Sequence, residues 1–236
     1  MKYIIILLFT ILAGRSYGQY DTAAIAILDS MSSQIDELET CSFRFYSEFD
    51  ISNDEYGLIT HSESGNVFLK GPDKMFVDKQ GDKGHRVFYY NGKTFLLYSY
   101  DKNQYATAPA EISIIELIDS LSSYFGVEFP GADIFYSDFV DDLLETSNNL
   151  VFLGITAIGD IECFHIAGSK DDMTYQLWVT DDEYPLPVKL SINYILKPGN
   201  PRYIMFFKDW KLNENIDDSK FEFTIPEGAE LVKLVK

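Results

Sequence analysis

The segment from Tyr175 to Ile195 constrains the fold of this chain more than any other. Tyr175, Leu177 and Val179 fall on one side of an extended backbone and Gln176, Trp178 and Thr180 on the other, the period of two that marks a strand with two unlike faces. The acidic run Asp181-Asp182-Glu183 reverses the chain, after which Val188, Leu190, Ile192 and Tyr194 resume the alternation. Pro185 and Pro187 remove N–H donors from one edge of the returning arm, so at that point it pairs fully only on its other side. The segment is a long β-hairpin, and nothing in it looks catalytic.

The same period recurs along most of the chain. Phe43, Phe45, Ser47 and Phe49 alternate with Arg44, Tyr46 and Glu48. From Tyr56 to Ala106 the pattern predicts an antiparallel meander, with strands over Tyr56–Leu69, Lys74–Lys79, His85–Tyr90, Thr94–Tyr100 and Gln104–Ala106. Turn chemistry separates them: Gly71-Pro72-Asp73, Gly81-Asp82-Lys83-Gly84, Asn91-Gly92 and Asp101-Lys102-Asn103. Asn91-Gly92, between two apolar runs, is the strongest short-range hairpin signal in the chain. Further strands are expected over Leu150–Ile158, Ile161–Ala167 and Pro201–Leu212, then a short one at Phe221 and Phe223 and a closing segment from Leu231 to Val235.

Two stretches break that period. Ala24, Leu28, Met31, Ile35 and Leu38 recur at helical spacing, with Asp29, Ser32, Ser33, Asp36 and Glu37 on the opposite side. After Pro109, a stripe of Ile114, Leu117, Ile118, Leu121, Tyr124 and Phe125 predicts a second helix that stops at Gly126. A short helical stretch from about Asp133 to Thr146 follows, so an insert over roughly 111–146 interrupts the sheet.

Residues 1–18 have the form of a secretory signal: Lys2, an apolar core from Tyr3 to Ala13, and Ser16-Tyr17-Gly18 as a cleavage site before Gln19. The core is too short for a membrane span, and Arg15 stands where a lipid-accepting Cys would be needed, so the mature chain is expected to be exported and not lipid-anchored. Cleavage would leave 17 basic against 37 acidic residues, a net charge of −20. That charge repels phosphate backbones and anionic membranes, which argues against nucleic acid as a partner. Cys41 and Cys163 are candidates for a disulfide closing a long loop, but each sits beside an aromatic in an apparent strand, the usual setting of a buried free thiol.

The order helix, meander, helical pair, meander resembles the half-barrel of the lipoprotein carriers LolA and LolB and the related LppX. More closely, the chain resembles the predicted periplasmic family known as domain of unknown function 2092. The residues that carry this are Asn91-Gly92-Lys93-Thr94 with Tyr98, Tyr105-Ala106 before Pro109, and Pro130-Gly131-Ala132-Asp133. Further on they are Gly159 with Cys163-Phe164-His165-Ile166-Ala167, Gln176-Leu177-Trp178, Pro185-Leu186-Pro187 with Lys189, Trp210, and Phe221-Glu222-Phe223 with Pro226-Glu227-Gly228-Ala229. The resemblance implies an α+β fold in a single domain over 19–236. Its sheet would be a strongly curved antiparallel half-barrel, left unclosed, with the N-terminal helix and the insert covering the concave face. It also implies a periplasmic location and assigns no activity.

Chemistry finds little support. No Gly-x-Ser-x-Gly elbow, phosphate loop or dinucleotide fingerprint occurs. His165 and Cys163 on one strand make at best half a metal site. His61 and Glu63 share a strand face as an ordinary exposed pair, and Asn213 to Asp218 lacks the Gly and Glu of a calcium loop. Neither an enzyme, a metal nor a cofactor is expected. What stands out is aromatic content, 15% of the chain, which can serve both to pack helices on a curved sheet and to line an unfilled concave face. The expected function is therefore binding or carriage of a hydrophobic ligand, a lipid or a lipoprotein acyl chain, in a cavity between sheet and helical lid. Phe43, Phe45, Phe88, Leu97, Ile114, Leu117, Leu121, Leu177 and Trp178 are its candidate walls. The alternative is a ligand-free module that docks on another protein of the cell envelope.

Overall fold

The computed structural model describes residues 20–233 apart from 128 and 130; the expected signal segment 1–18 and the end of the closing segment lie outside the described residues. Helix α1 (Thr22–Asp36) is capped by Asp21, whose carboxylate accepts from Ala23 N–H at 2.9 Å. It is followed by β1 (Thr40–Asn53), β2 (Gly57–Lys70), β3 (Lys74–Gly81), β4 (Gly84–Asn91), β5 (Thr94–Ser99) and β6 (Gln104–Pro109). Next come α2 (Ile114–Phe125), a 3₁₀ turn at Ala132–Phe135 and α3 (Phe139–Thr146). The chain returns to the sheet with β7 (Asn149–Ile158), β8 (Ile161–Ser169), β9 (Met173–Thr180), β10 (Pro187–Tyr194) and β11 (Arg202–Leu212), then a 3₁₀ turn at Asp218–Phe221 and the two-residue β12 (Glu230–Leu231).

These twelve strands form one sheet in the order β12-β6-β5-β4-β3-β2-β1-β11-β10-β9-β8-β7. The pairings are antiparallel except β12 on β6. A twisted sheet of this width curls, and it remains open, with β7 and β12 as its edges. Its spine is the β1–β2 hairpin, paired without a break from Thr40↔Lys70 to Asn53↔Gly57. Two runs of neighbouring hairpins, β1 to β6 and β7 to β11, meet at a single seam where β1 pairs with β11. Arg44 on β1 forms an ion pair with Asp209 across that seam.

Alternation sends one set of side chains to the inner face, where the main core forms against the helices. Phe43 and Phe45 of β1, Leu177 and Val179 of β9, and Met205 and Phe207 of β11 meet Leu28 and Met31 of α1 and Leu117 and Leu121 of α2 there. The outer face carries two smaller clusters, one of Phe76, Val87, Leu96, Tyr98 and Phe221, the other of Cys163, Trp178 and Val188.

Two expectations change, and the cysteines take the free-thiol alternative. Phe221 and Phe223 do not form a strand: Asp217 caps Ser219 N–H at 2.8 Å and Asp218 bonds Lys70 and Lys74 at 2.7 and 3.2 Å, so the tail crosses the outer face of the sheet and finds no ladder partner. Cys41 and Cys163 are free and buried. They lie on β1 and β8, four strand spacings apart, about 19 Å and far beyond disulfide reach. Burial pushes the Cys41 thiol up to about 12. Finally, the stretch around Asp133 to Thr146 is two short pieces, because the chain leaves helical geometry at Tyr136 (φ −85°, ψ 134°).

The concave face as candidate functional site

Helix α2 is locally well determined. Ser113 and Glu116 form a capping box, with Glu116 N–H donating to Ser113 Oγ at 3.2 Å and Ser113 N–H to Glu116 Oε2 at 2.8 Å. Its approach is held by Tyr90, whose fully buried hydroxyl accepts from Ile112 N–H at 3.1 Å and lies against the carbonyls of Ala110 and Ile112. Ile114 N–H donates to Pro72 carbonyl at 2.9 Å. The far end is built on glycine: Gly126 (φ 64°) and Gly131 (φ 85°) both occupy the left-handed region, which glycine enters at no steric cost. Helix α2 is thus pinned at its start and followed by two glycines at its finish.

Between this insert and the sheet lie two apolar cavities. The first, about 90 Å³, has Phe43, Phe45, Val67, Met75 and Phe207 on its sheet side and Ile118, Phe129 and Phe135 above. Phe43 anchors its aromatic wall, stacked on Phe135 (5.8 Å, 11°) and 4.4 Å from Trp210. The second, about 80 Å³, lies between Leu28, Ile134 and Leu143 of the helical side and Ile166, Leu177 and Leu190 of the sheet. Gly131 borders both cavities. A Cβ built there would stand 3.2 Å from Leu190, so the backbone packs closely on the sheet where the two spaces approach each other.

At its outer end the first cavity reaches Glu63, Lys79 and Tyr203, which also line an open groove of about 770 Å³. Lys79 Nζ bonds Glu63 at 3.3 Å, both side chains largely covered, and this pair forms the neck between cavity and groove. Tyr203 is 7% exposed, and burial holds its phenol well above the usual range. A raised folded value means that Tyr203 contributes its full stability below the unfolded phenol value near pH 10 and loses it as pH rises from there toward the folded value. Tyr203→Phe is accordingly expected to flatten the alkaline limb of the stability profile above about pH 10. Thermal melts of both proteins from pH 8 upward check this, and parallel alkaline limbs would contradict it.

Of the walls expected from sequence, Phe43 and Phe45 line the first cavity and Leu177 the second. Phe88 stands beside the first, its ring edge-on to Phe129 at 5.3 Å. Ile114, Leu117 and Leu121 are buried under α2 in the main core, but the helix residue that reaches the first cavity is Ile118. Leu97, the cross-strand partner of Phe88, packs on the main core and borders a separate pocket with Arg86 and Lys102. Trp178 points to the outer face, stacked on His165 at 4.3 Å with Lys189 4.4 Å above its ring, because its neighbour Leu177 takes the inward position. Sequence reading missed Met205 and Phe207, although their alternation along β11 carries the needed signal. It also missed Leu28 and Leu143, whose helical stripes say that they are buried and do not say against what.

The histidines are accounted for locally. His61 bonds Asp82 at 2.7 Å, His85 bonds Asp78 at 2.8 Å, and His165 bonds Gln176 at 2.9 Å. Among the described residues no three His, Cys, Asp or Glu side chains gather as a metal set, and no helix is long and apolar enough to cross a membrane.

An unclosed antiparallel sheet wrapped around a helical insert, with an apolar inner face, places the molecule among the half-barrel proteins. The chain belongs to the family described as predicted periplasmic protein (DUF2092), whose profile matches residues 24–235. Among solved structures it is similar to LprF from Mycobacterium bovis, at 14% identity over 90% of this chain and 100% of that one, TM-score 0.52. It is also similar to an uncharacterised conserved protein from Thermus thermophilus, at 12% identity over 90% and 99%, TM-score 0.50. The uncharacterised protein MJ0687 of Methanocaldococcus jannaschii is 26% identical over 145 residues, 60% of this chain and 36% of that protein, so the match spans about a third of that curated relative.

Proposed function

We propose that this is an exported, periplasmic binding or carrier protein, a single domain over 19–236, that holds a hydrophobic ligand such as a lipid or a lipoprotein acyl chain beneath the 111–146 insert. The reading assigns it no reaction. The observation that carries it is the pair of apolar cavities under the insert, both bordered by Gly131. In this closed arrangement each is well below the roughly 300 Å³ of a typical ligand site. Loading an acyl chain therefore requires α2 to lift at its glycine-bearing end and merge the two spaces. Burying about 14 methylenes at about 0.8 kcal/mol each supplies on the order of 11 kcal/mol, against association costs of about 4 to 15 kcal/mol. Opening must accordingly be cheap, as it is for a helix held at one end.

Native mass spectrometry after gentle purification tests the proposal: co-purifying lipid, displaced by a neutral fluorescent probe, is expected. The small closed volumes favour one other reading, a dry adaptor docking on an envelope protein. Recovery of bare protein that also fails to take up the probe would decide for it.

A further inference from the structure

Basic side chains are scarce in this molecule, 19 against 37 acids, yet they gather at one place. The open groove beyond the Glu63–Lys79 neck is lined by Lys79, Lys83, Arg86, Lys197 and Arg202, with Asp50 and Glu63 as its only acids among the described residues. Both acids are already engaged. Asp50 accepts from Thr60 Oγ1 at 2.7 Å, from Arg202 N–H at 3.0 Å and from Arg202 Nε at 3.4 Å, while Glu63 serves Lys79. Lys197 stands 4.0 Å over the Tyr194 ring. Lys83 and Arg86 are exposed and have no acid partner among the described residues.

The register sets two cations against each other. Lys79 of β3 and Arg86 of β4 are direct cross-strand partners on the inner face. Like charges placed directly opposite repel, and one carboxylate neutralises only one of the two. An anion lying between Lys79, Lys83 and Arg86 would relieve that repulsion, with Arg86 able to grip two oxygens at once. On the other side of the neck lies the apolar cavity, so the molecule presents in sequence an apolar space, a charged throat and a cationic mouth.

We propose that the groove binds the oxyanion headgroup, phosphate or carboxylate, of an amphiphile whose apolar chain passes Lys79 into the cavity. This rests on the hydrophobic-ligand reading above and narrows it to acidic, single-headed lipids. It also gives the lipid a direction: chain under the insert, head at the β3–β4 turn. The protein's overall negative charge then works as a filter, opposing adsorption to acidic membrane surfaces while one local patch recognises a single acidic headgroup.

The test uses competition against an uncharged fluorescent probe, with oleoyl lysophosphatidic acid, oleoyl lysophosphatidylcholine, monooleoylglycerol and inorganic phosphate as competitors, all below micelle formation. In low salt the acidic lipid is expected to displace the probe at concentrations at least tenfold below those of the neutral lipid of equal chain. Phosphate alone is expected to act only at millimolar concentration, weakening the acidic lipid's advantage and leaving the probe bound. The double variant Lys83→Gln/Arg86→Gln, at exposed positions where folding is preserved and checked by circular dichroism, is expected to shrink the tenfold preference to under twofold. Three results overturn the proposal: equal displacement by the three lipids while the probe binds, a preference that survives the double variant, or phosphate binding as tightly as the acidic lipid. Failure of probe and every lipid to bind would instead bring down the hydrophobic-ligand reading itself, and the two failures are thus told apart.

Discussion

Phe221→Ala is expected to lower the free energy of unfolding by about 3 to 5 kcal/mol, the largest loss from any single truncation on the outer face, and to leave probe binding unchanged. Phe221 is 1% exposed and plugs a cluster of Phe76, Val87, Leu96 and Tyr98. Lys220 beside it spans the rings of Phe68 and Phe76 at 4.2 and 4.0 Å, and burial lowers its pKa. Truncation removes the ring, leaves a cavity that the sheet cannot collapse into, and loosens the crossing tail. Ligand binding is spared because alternation puts Met75, Val77 and Phe88 on the opposite face of the same strands. Urea unfolding at matched slope measures the loss. A change under about 1 kcal/mol would mean that the tail is an independent flap.

Leu121→Lys is expected to abolish or greatly weaken probe binding while costing global stability only about 1 to 3 kcal/mol. Leu121 is 2% exposed beneath α2, and its carbonyl accepts from Val127 N–H at 3.1 Å near the glycine-bearing end. A charge there cannot stay buried without a partner, so the helix must lift to hydrate it. Tyr90 and Pro72 hold the other end, which is why lifting is expected in place of unfolding. Thermal melting with probe titration separates the cases. Normal binding in a folded variant would remove the insert from the site, and collapse of the whole fold would make α2 ordinary core.

The sheet was legible because its information is local. Period-two patterns and turns such as Asn91-Gly92 place β3, β4 and β5 within a residue or two of where they lie. Gly126 did the same for the end of α2. Two kinds of information were out of reach. A strand pattern divides residues into two faces without saying which is inner, and so Trp178 was assigned to the same wall as Leu177 although adjacent strand residues cannot share a face. The packing partner of a helical stripe is also not local, which left Leu28 and Ile118 without a cavity to line. The Phe221–Phe223 segment alternates like a strand, but its pattern reports burial against the outer cluster and not membership of a ladder.

The seam between β1 and β11 has a consequence for the order of assembly. The pairings within each hairpin run join segments adjacent in the chain, whereas the Arg44–Asp209 contact at the seam spans 165 residues. Loop-closure entropy falls most heavily on that ladder, so the two runs can reach native pairing separately and zip together late. Phe43 and Phe45 come from one side of the seam and Met205 and Phe207 from the other, so the first cavity comes into being only when the seam closes. A ligand occupying it would act as a clasp between the halves, whereas the second cavity, lined from the sheet side by β8, β9 and β10 alone, does not depend on the seam.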